Sequence, residues 1–144
     1  MSGLSKIVLH KNNSVTDVDK SDFDLKKAYY LSGPMSGYVN YNFKQFEKNC
    51  LVLRAAGILL RSPHENPMPA DSDNMSSVKL WETMMDLAFK QMKTCDGIIL
   101  MKGWPASKGA KLELMRALNL KWPVYYYNDN YVLVDMNDDY TRNG

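Results

Sequence analysis

The run Gly97-Ile98-Ile99-Leu100-Met101 is the most apolar segment of the chain, and the prediction of the fold starts from it. A short apolar run that ends in turn residues predicts a buried β-strand. Here the run is followed by Lys102 and Gly103, and Pro105 lies in the same loop. We therefore predict a central strand at residues 97–101 with a loop directly after it.

Strand-like and helix-like patterns alternate on both sides of this strand. The strand-like runs lie at residues 28–31, 58–60 and 123–127, with a weaker one at 131–134. Helical periodicity covers residues 42–56, the stretch from about 78 to 92, and 109–118. Such alternation is typical of a parallel sheet with helices on both faces. We predict a single-domain, Rossmann-like α/β sandwich with a mainly parallel sheet of about five strands.

The first 26 residues differ from the rest of the chain. They are mainly polar with one short apolar run, Ile7-Val8-Leu9, and residues 11–24 are rich in Asn, Ser, Asp and Lys. This composition predicts a flexible N-terminal segment at residues 1–26 that contributes at most one edge strand. The domain itself is expected to span residues 27–144.

Composition argues against several classes of function. The net charge of +2 and the scattered lysines do not form the basic stripe of a nucleic-acid binder. No apolar run approaches the roughly 20 residues that cross a bilayer, so we predict no membrane association, and no secretory signal opens the chain, which predicts a cytoplasmic address. Cys50 and Cys95 lie in apolar stretches and are expected to be reduced core thiols. His10 and His64 lack the neighbours of a zinc site.

Two loops follow predicted strands, at the sheet end where α/β proteins bind ligands. The first reads Ser32-Gly33-Pro34-Met35-Ser36-Gly37. Its glycines allow a backbone to approach a ligand closely, and its hydroxyls can bond phosphate or sugar oxygens. By composition alone, a plain structural turn is the preferred interpretation of this loop, and a binding loop is the alternative.

The second loop runs from Lys102 to Gly109 and leads into a helix. Ser107 stands at the predicted N-cap and Lys108 adds a cation, so the first turn could hold an anion such as phosphate. Glu113 lies about one and a half turns into the helix, where it could face the end of the sheet. On these residues alone, an ordinary surface glutamate is an equally good interpretation.

The two motifs together, YLSGPMSG at residues 30–37 and CDGIILMKGWPASKGAKLE at 95–113, resemble the nucleoside 2-deoxyribosyltransferase-like superfamily. More narrowly, residues 28–124 resemble a branch of short proteins common in bacteriophages and prophages. The resemblance implies that Glu113 is a nucleophile that attacks the anomeric carbon of a nucleoside, as in a retaining glycosidase. It implies neither a metal nor an organic cofactor.

The resemblance also implies a substrate class and further site residues. Ser107 matches the serine of the branch that hydrolyses deoxynucleoside 5′-monophosphates, and with Lys108 it favours a nucleotide over a free nucleoside. Tyr30 matches an active-site tyrosine. The remaining residues expected to bind substrate are Gly33, Met35, Ser36, Gly37 and Gly109. A deoxyribosyltransferase is the alternative activity.

One position departs from the superfamily pattern. The second carboxylate, which assists the leaving base, is expected at residue 88, and this chain has Ala88 there. Asp86 is the nearest acid on the same helix and our candidate for a catalytic replacement; Glu65, Asp71 and Asp73 in the preceding loop are others. A nucleotide-binding protein with weak turnover is therefore a further alternative.

The resemblance also implies an assembly. Members of the superfamily form homo-oligomers in which a neighbour's C-terminal segment completes the pocket, and Asn128, Asp129 and Met136 lie in the matching region. We expect a dimer or a higher oligomer. If the chain is encoded by a phage, its location is the host cytoplasm. Tyr125, Tyr126 and Tyr127 could stack on a base or on another subunit, but alternation between a core and a surface explains them equally well.

Overall fold

One mixed sheet forms the centre of the computed structural model, which describes residues 7–137. Within those residues the sheet has seven strands: β1 (Val8–Lys11), β2 (Ser14–Asp17), β3 (Ala28–Ser32), β4 (Leu59–Arg61), β5 (Gly97–Met101), β6 (Val124–Tyr127) and β7 (Val132–Asp135). The helices are α1 (Phe43–Ala55), α2 (Ser77–Met92) and α3 (Lys108–Asn119). This architecture confirms the predicted single-domain, Rossmann-like α/β fold.

The central strands are covered on both faces. Every residue of β3 and of β5 is buried, as expected for parallel strands with helices on both sides. Alternate side chains enter two separate clusters. Leu31 and Ile99 join α1 in one cluster, whereas Tyr30, Ile98 and Leu100 join α2 and α3 in the other. The free thiols of Cys50 and Cys95 are both buried, one in each cluster.

The strand order is β2-β1-β7-β6-β5-β3-β4. The neighbours β6, β5, β3 and β4 are parallel, whereas β7 runs antiparallel to β6. Strand β1 is parallel to β7, and β2 is antiparallel to β1. The four parallel strands and β7 correspond to the five predicted strands, although β7 is antiparallel to β6. Strand β1 is the edge strand that the apolar run at residues 7–9 allowed, and β2 was not predicted; β7, β1 and β2 together extend the parallel part of the sheet on one side.

Residues 7–26 differ from the flexible segment that their composition predicted. They form the β1–β2 hairpin, whose two-residue turn places Asn12 at φ 56°, a conformation that asparagine tolerates. Ile7, Leu9, Val18 and Phe23 are buried. These four apolar side chains are spread along a polar stretch. The average hydrophobicity of residues 7–26 is therefore low, although each of the four side chains packs in the core.

The topology creates a crevice at the carboxyl ends of β3 and β5. These strands are neighbours, but the chain leaves β3 toward α1 on one face and leaves β5 toward α3 on the other. The two loops diverge at this point, which is the switch point where open α/β sheets bind ligands. Both loops singled out in the sequence therefore border this crevice.

Candidate active site

Glu113 lies at the base of the crevice with its side chain buried. It shares the sheet-facing side of α3 with Ala110, Leu114 and Ala117, at the spacing of one helical face. Its Oε1 accepts a hydrogen bond from Ser32 Oγ at 2.6 Å, and its Oε2 accepts one from Tyr30 Oη at 2.8 Å. Both donors belong to β3, so the strand fixes both carboxylate oxygens.

Burial changes the ionisation of this carboxyl group. It raises the pKa of Glu113 to about 7, because the charged form loses its hydration, and the bonds from Ser32 and Tyr30 offset only part of that rise. Burial and the neighbouring Glu113 raise the pKa of Tyr30 well above its usual value. Tyr30 therefore remains a protonated phenol that donates to Glu113, and Glu113 changes charge near neutral pH.

A pocket of about 770 Å³ opens above Glu113. One of its walls is the loop after β3, where Gly33, Met35, Ser36 and Gly37, the residues of this loop expected to bind substrate, all line the pocket. A Cβ at Gly33 would come within 2.9 Å of Met101, so no larger residue fits between the ends of β3 and β5. Gly37 has φ +85°, a conformation that glycine adopts readily.

The opposite wall is the first turn of α3. Ser107 caps the helix by accepting from the Ala110 backbone N–H at 3.1 Å. The first N–H groups of a helix have no partner inside it, which leaves those of Lys108 and Gly109 for a ligand. The Lys108 ammonium lies 4.8 Å from the centroid of the Trp81 ring, and both residues line the pocket. This wall can attract and bind an anion.

A second part of the pocket, which we call the apolar region, lies between α2 and the loops that follow β3 and β4. The side chains that line it are mainly aromatic or aliphatic: Tyr41, Phe43, Pro63, Pro67, Met68, Leu80, Met84 and Leu87. Asn66 is the one amide side chain among the described residues that line the pocket. A flat, largely apolar ligand group with a polar edge would fit this composition.

The other predicted acids lie outside the pocket. Asp86 is exposed on α2, whereas Ala88, two residues further and about 200° around the helix, is buried and lines the pocket. Glu65 forms an ion pair with Arg54 at 2.7 Å, and Asp71 and Asp73 are exposed. Among the described residues that line the pocket, Glu82 is the one carboxylate besides Glu113, and it is exposed.

Several other predicted residues occupy different positions. Tyr30 is fully buried behind Glu113 and is not part of the pocket wall. Asn128, Asp129 and Met136, which the resemblance assigns to the pocket of a neighbouring subunit, are also absent from the pocket wall of their own chain, and that assignment stays a prediction; Met136 packs against the α2–α3 core cluster. In β6, Tyr125 and Tyr127 enter the α1 cluster and Tyr126 packs against the other, so strand alternation accounts for all three.

Two residues of the site were not predicted. Ser32 had a usable signal, because Tyr30 and Ser32 are two apart on a strand and must face the same side of the sheet. Asn66 had none, since its loop is shaped by contacts with a distant helix. Among residues 7–137, no three His, Cys, Asp or Glu side chains come together to hold a metal ion, and no helix within this range is long and apolar enough to cross a membrane.

Comparisons with known proteins extend this description. A family whose description is "Domain of unknown function (DUF4406)" matches residues 27–126, from just before β3 to within β6. No curated protein matches the chain. No solved structure matches it either.

Proposed function

Because the chain belongs to the DUF4406 family, which has no assigned function, we propose its activity from the geometry of the pocket. The protein cleaves the N-glycosidic bond of a 2′-deoxynucleoside 5′-monophosphate and releases the free base and the sugar phosphate. The observation that carries this proposal is the buried Glu113 carboxylate at the base of a pocket, with both oxygens positioned by hydroxyls from β3.

Glu113 acts as the nucleophile. Its ionised carboxylate stabilises the positive charge that develops on the anomeric carbon and then bonds to that carbon, while the carbon–nitrogen bond breaks and its electron pair leaves with the base. The base takes up a proton from solvent water as it departs. Water then attacks the anomeric carbon, its proton passes to solvent, and the carboxylate of Glu113 is restored. A hydrogen bond to each oxygen keeps the carboxylate aligned for the attack.

The first turn of α3 supports a phosphate on the substrate. Ser107, Lys108 and Gly109 line the pocket, and Gly109 precedes Glu113 by four residues, or about 6 Å along the helix. A 5′-phosphate bound at this turn would therefore place the sugar near Glu113. The helix dipole and Lys108 both favour an anion there.

Release of free base from deoxynucleoside 5′-monophosphates and from the matching nucleosides, followed by chromatography, tests the proposal. We expect release from monophosphates, and a loss of at least a thousandfold in Glu113→Gln, because an amide cannot serve as the nucleophile. Asp86→Asn, which alters an exposed acid outside the pocket, should leave the rate unchanged. If Glu113→Gln still releases base, Glu113 is not the nucleophile. If the native protein releases base from none of the monophosphates, the proposed N-glycosidic cleavage is excluded.

A nucleotide-binding protein without efficient turnover is the second candidate. Ala88 favours it, because this side chain lines the pocket and offers no proton to a leaving base. In that case Glu113→Gln would bind a nucleotide as tightly as the native protein does, and neither protein would release base. A deoxyribosyltransferase would instead release base only when a second free base is added as acceptor.

A further inference from the structure

The single amide of the apolar region, Asn66, is held in place by a chain of hydrogen bonds. Asn66 Nδ2 donates to Gln91 Oε1 at 3.0 Å. Gln91 Nε2 in turn donates to the backbone carbonyl of Ser62 at 2.9 Å. Gln91 lies on α2, on the side of the helix that faces this loop, and is not part of the pocket wall.

This chain determines which end of the Asn66 amide is left for a ligand. A backbone carbonyl can only accept a hydrogen bond, so Gln91 must present its NH₂ group to Ser62 and its oxygen to Asn66. Asn66 must then present its NH₂ group to Gln91. Its oxygen, Oδ1, is the remaining end, and within residues 7–137 no group donates to it. The pocket thus contains a hydrogen-bond acceptor of fixed orientation.

The loop that carries Asn66 is itself fixed. The Ser62 carbonyl also accepts from the Glu65 backbone N–H, and the Asn66 N–H donates to the Pro63 carbonyl, both at 3.1 Å. Glu65 is tied to α1 through two hydrogen bonds from Arg54, at 2.9 and 2.7 Å. Little ordering remains for a ligand to impose, so a contact with Asn66 can discriminate between ligands.

We propose that Asn66 Oδ1 recognises the exocyclic amino group of the substrate base, and that Gln91 is the positioning residue for this contact. This inference rests on the proposed function for the position of the sugar. It selects adenine or cytosine monophosphates over the hypoxanthine or uracil counterparts. Those two bases carry a carbonyl oxygen at the same position, so two acceptors would face each other with no proton between them.

Calorimetric binding to the Glu113→Gln protein, which cannot turn substrate over, tests the inference with two matched ligand pairs. The pairs are dAMP with dIMP and dCMP with dUMP, which differ in the amino or carbonyl group. We expect the amino member of at least one pair to bind about tenfold more tightly. Adding Asn66→Ala to the Glu113→Gln protein should abolish that preference, because only the binding of the amino member should become weaker.

Two further variants separate recognition from a structural effect. Gln91→Met keeps the volume of the side chain but removes the hydrogen bond that orients Asn66. The Asn66 amide can then rotate by 180°, so the preference for the amino ligand should fall although Asn66 is still present. Asn74→Ala removes an exposed amide outside the pocket and should change nothing. The inference is wrong if the Glu113→Gln protein shows no preference for the amino member of either pair, or if the preference survives in both Asn66→Ala and Gln91→Met. It is also overturned if Asn66→Ala weakens binding of both members of a pair equally, because Asn66 would then have a structural role.

This experiment keeps the two proposals separate, because binding is measured without turnover. If native protein releases no base but the amino preference follows Asn66, the reaction fails and the recognition stands. If base is released from the amino and carbonyl members with equal kcat/KM, the reaction stands and the recognition fails.

Discussion

At the scale of single residues, two hydroxyl groups on β3 lower the pKa of Glu113. Ser32 and Tyr30 each donate to a different carboxylate oxygen, and both bonds favour the ionised form. Burial acts in the opposite direction and is the larger effect, so the pKa of Glu113 is about 7. Since the proposed nucleophile must be ionised, kcat/KM should rise with pH through this value.

Ser32→Ala should move this rise to higher pH. The substitution removes the 2.6 Å bond that lowers the pKa of Glu113, so a higher pH is needed to ionise the same fraction of protein. Activity should recover on the alkaline side of the profile. A kcat/KM profile from pH 5 to 9 measures the shift, with Ser36→Ala, a pocket hydroxyl with no bond to Glu113, as the unshifted control. A lower plateau with an unchanged midpoint would contradict this role.

The residues of the site differ in how far sequence can predict them. Glu113 could be proposed because it lies about one and a half turns into the helix that follows a buried strand, and because the surrounding motif resembles that of the nucleoside 2-deoxyribosyltransferase-like superfamily. Ser32 follows from the same strand alternation that explains Tyr30. Asn66 depends on the Gln91 side chain, which is 25 residues away, and no local pattern encodes such a contact.

At the scale of elements, α2 and α3 begin with the same device. Ser76 Oγ accepts from the Lys79 N–H and Ser107 Oγ accepts from the Ala110 N–H, each at 3.1 Å. The two caps form a matched pair in which only Ser107 lies on the pocket wall.

Ser76→Ala and Ser107→Ala should each lower the free energy of unfolding by about 1 kcal/mol, because each removes one N-cap bond. Only Ser107→Ala should also raise KM for a nucleoside monophosphate, while leaving KM for the nucleoside unchanged. Urea denaturation and steady-state kinetics measure the two effects. An equal rise of KM in both variants would show that helix stability, and not a phosphate contact, is responsible.

Elements with strong periodicity were predictable within a few residues, and the β1–β2 hairpin was not. Its strands have four residues each, and β2 has no buried residue. Strand β1 of the hairpin pairs with β7, and its Leu9 packs in the same core cluster as α1. These are contacts between distant parts of the chain, which the low average hydrophobicity of residues 7–26 does not reveal.

At the scale of the whole molecule, Glu113 makes stability depend on pH. Folding raises its pKa from 4.5 to about 7. Between these values the folded protein holds a proton that the unfolded chain has released, so the contribution of Glu113 to stability is greatest below pH 4.5 and falls as the pH rises toward 7. Two to three pH units at 1.36 kcal/mol each correspond to a loss of about 3 kcal/mol.

Glu113→Gln should therefore be more stable than the native protein at pH 8, and nearly equal to it at pH 4. The amide stays neutral, and the hydroxyls of Tyr30 and Ser32 can rotate to bond it. Thermal unfolding at several pH values measures the difference, with Asp86→Asn as an exposed-acid control that should show no such trend. A constant difference at every pH would mean that Glu113 is not the group whose pKa folding shifts.

The extension formed by β7, β1 and β2 also determines which strand lies at this edge of the sheet, with unpaired backbone N–H and C=O groups. Without β7, β1 and β2, the outermost strand on that side would be β6, which is rich in tyrosine. A β-prone aromatic strand with free N–H and C=O groups is a template for aggregation. With the extension, the outermost strand is β2, the short and mostly exposed sequence Ser-Val-Thr-Asp. The extension thus protects this side of the sheet against uncontrolled self-association.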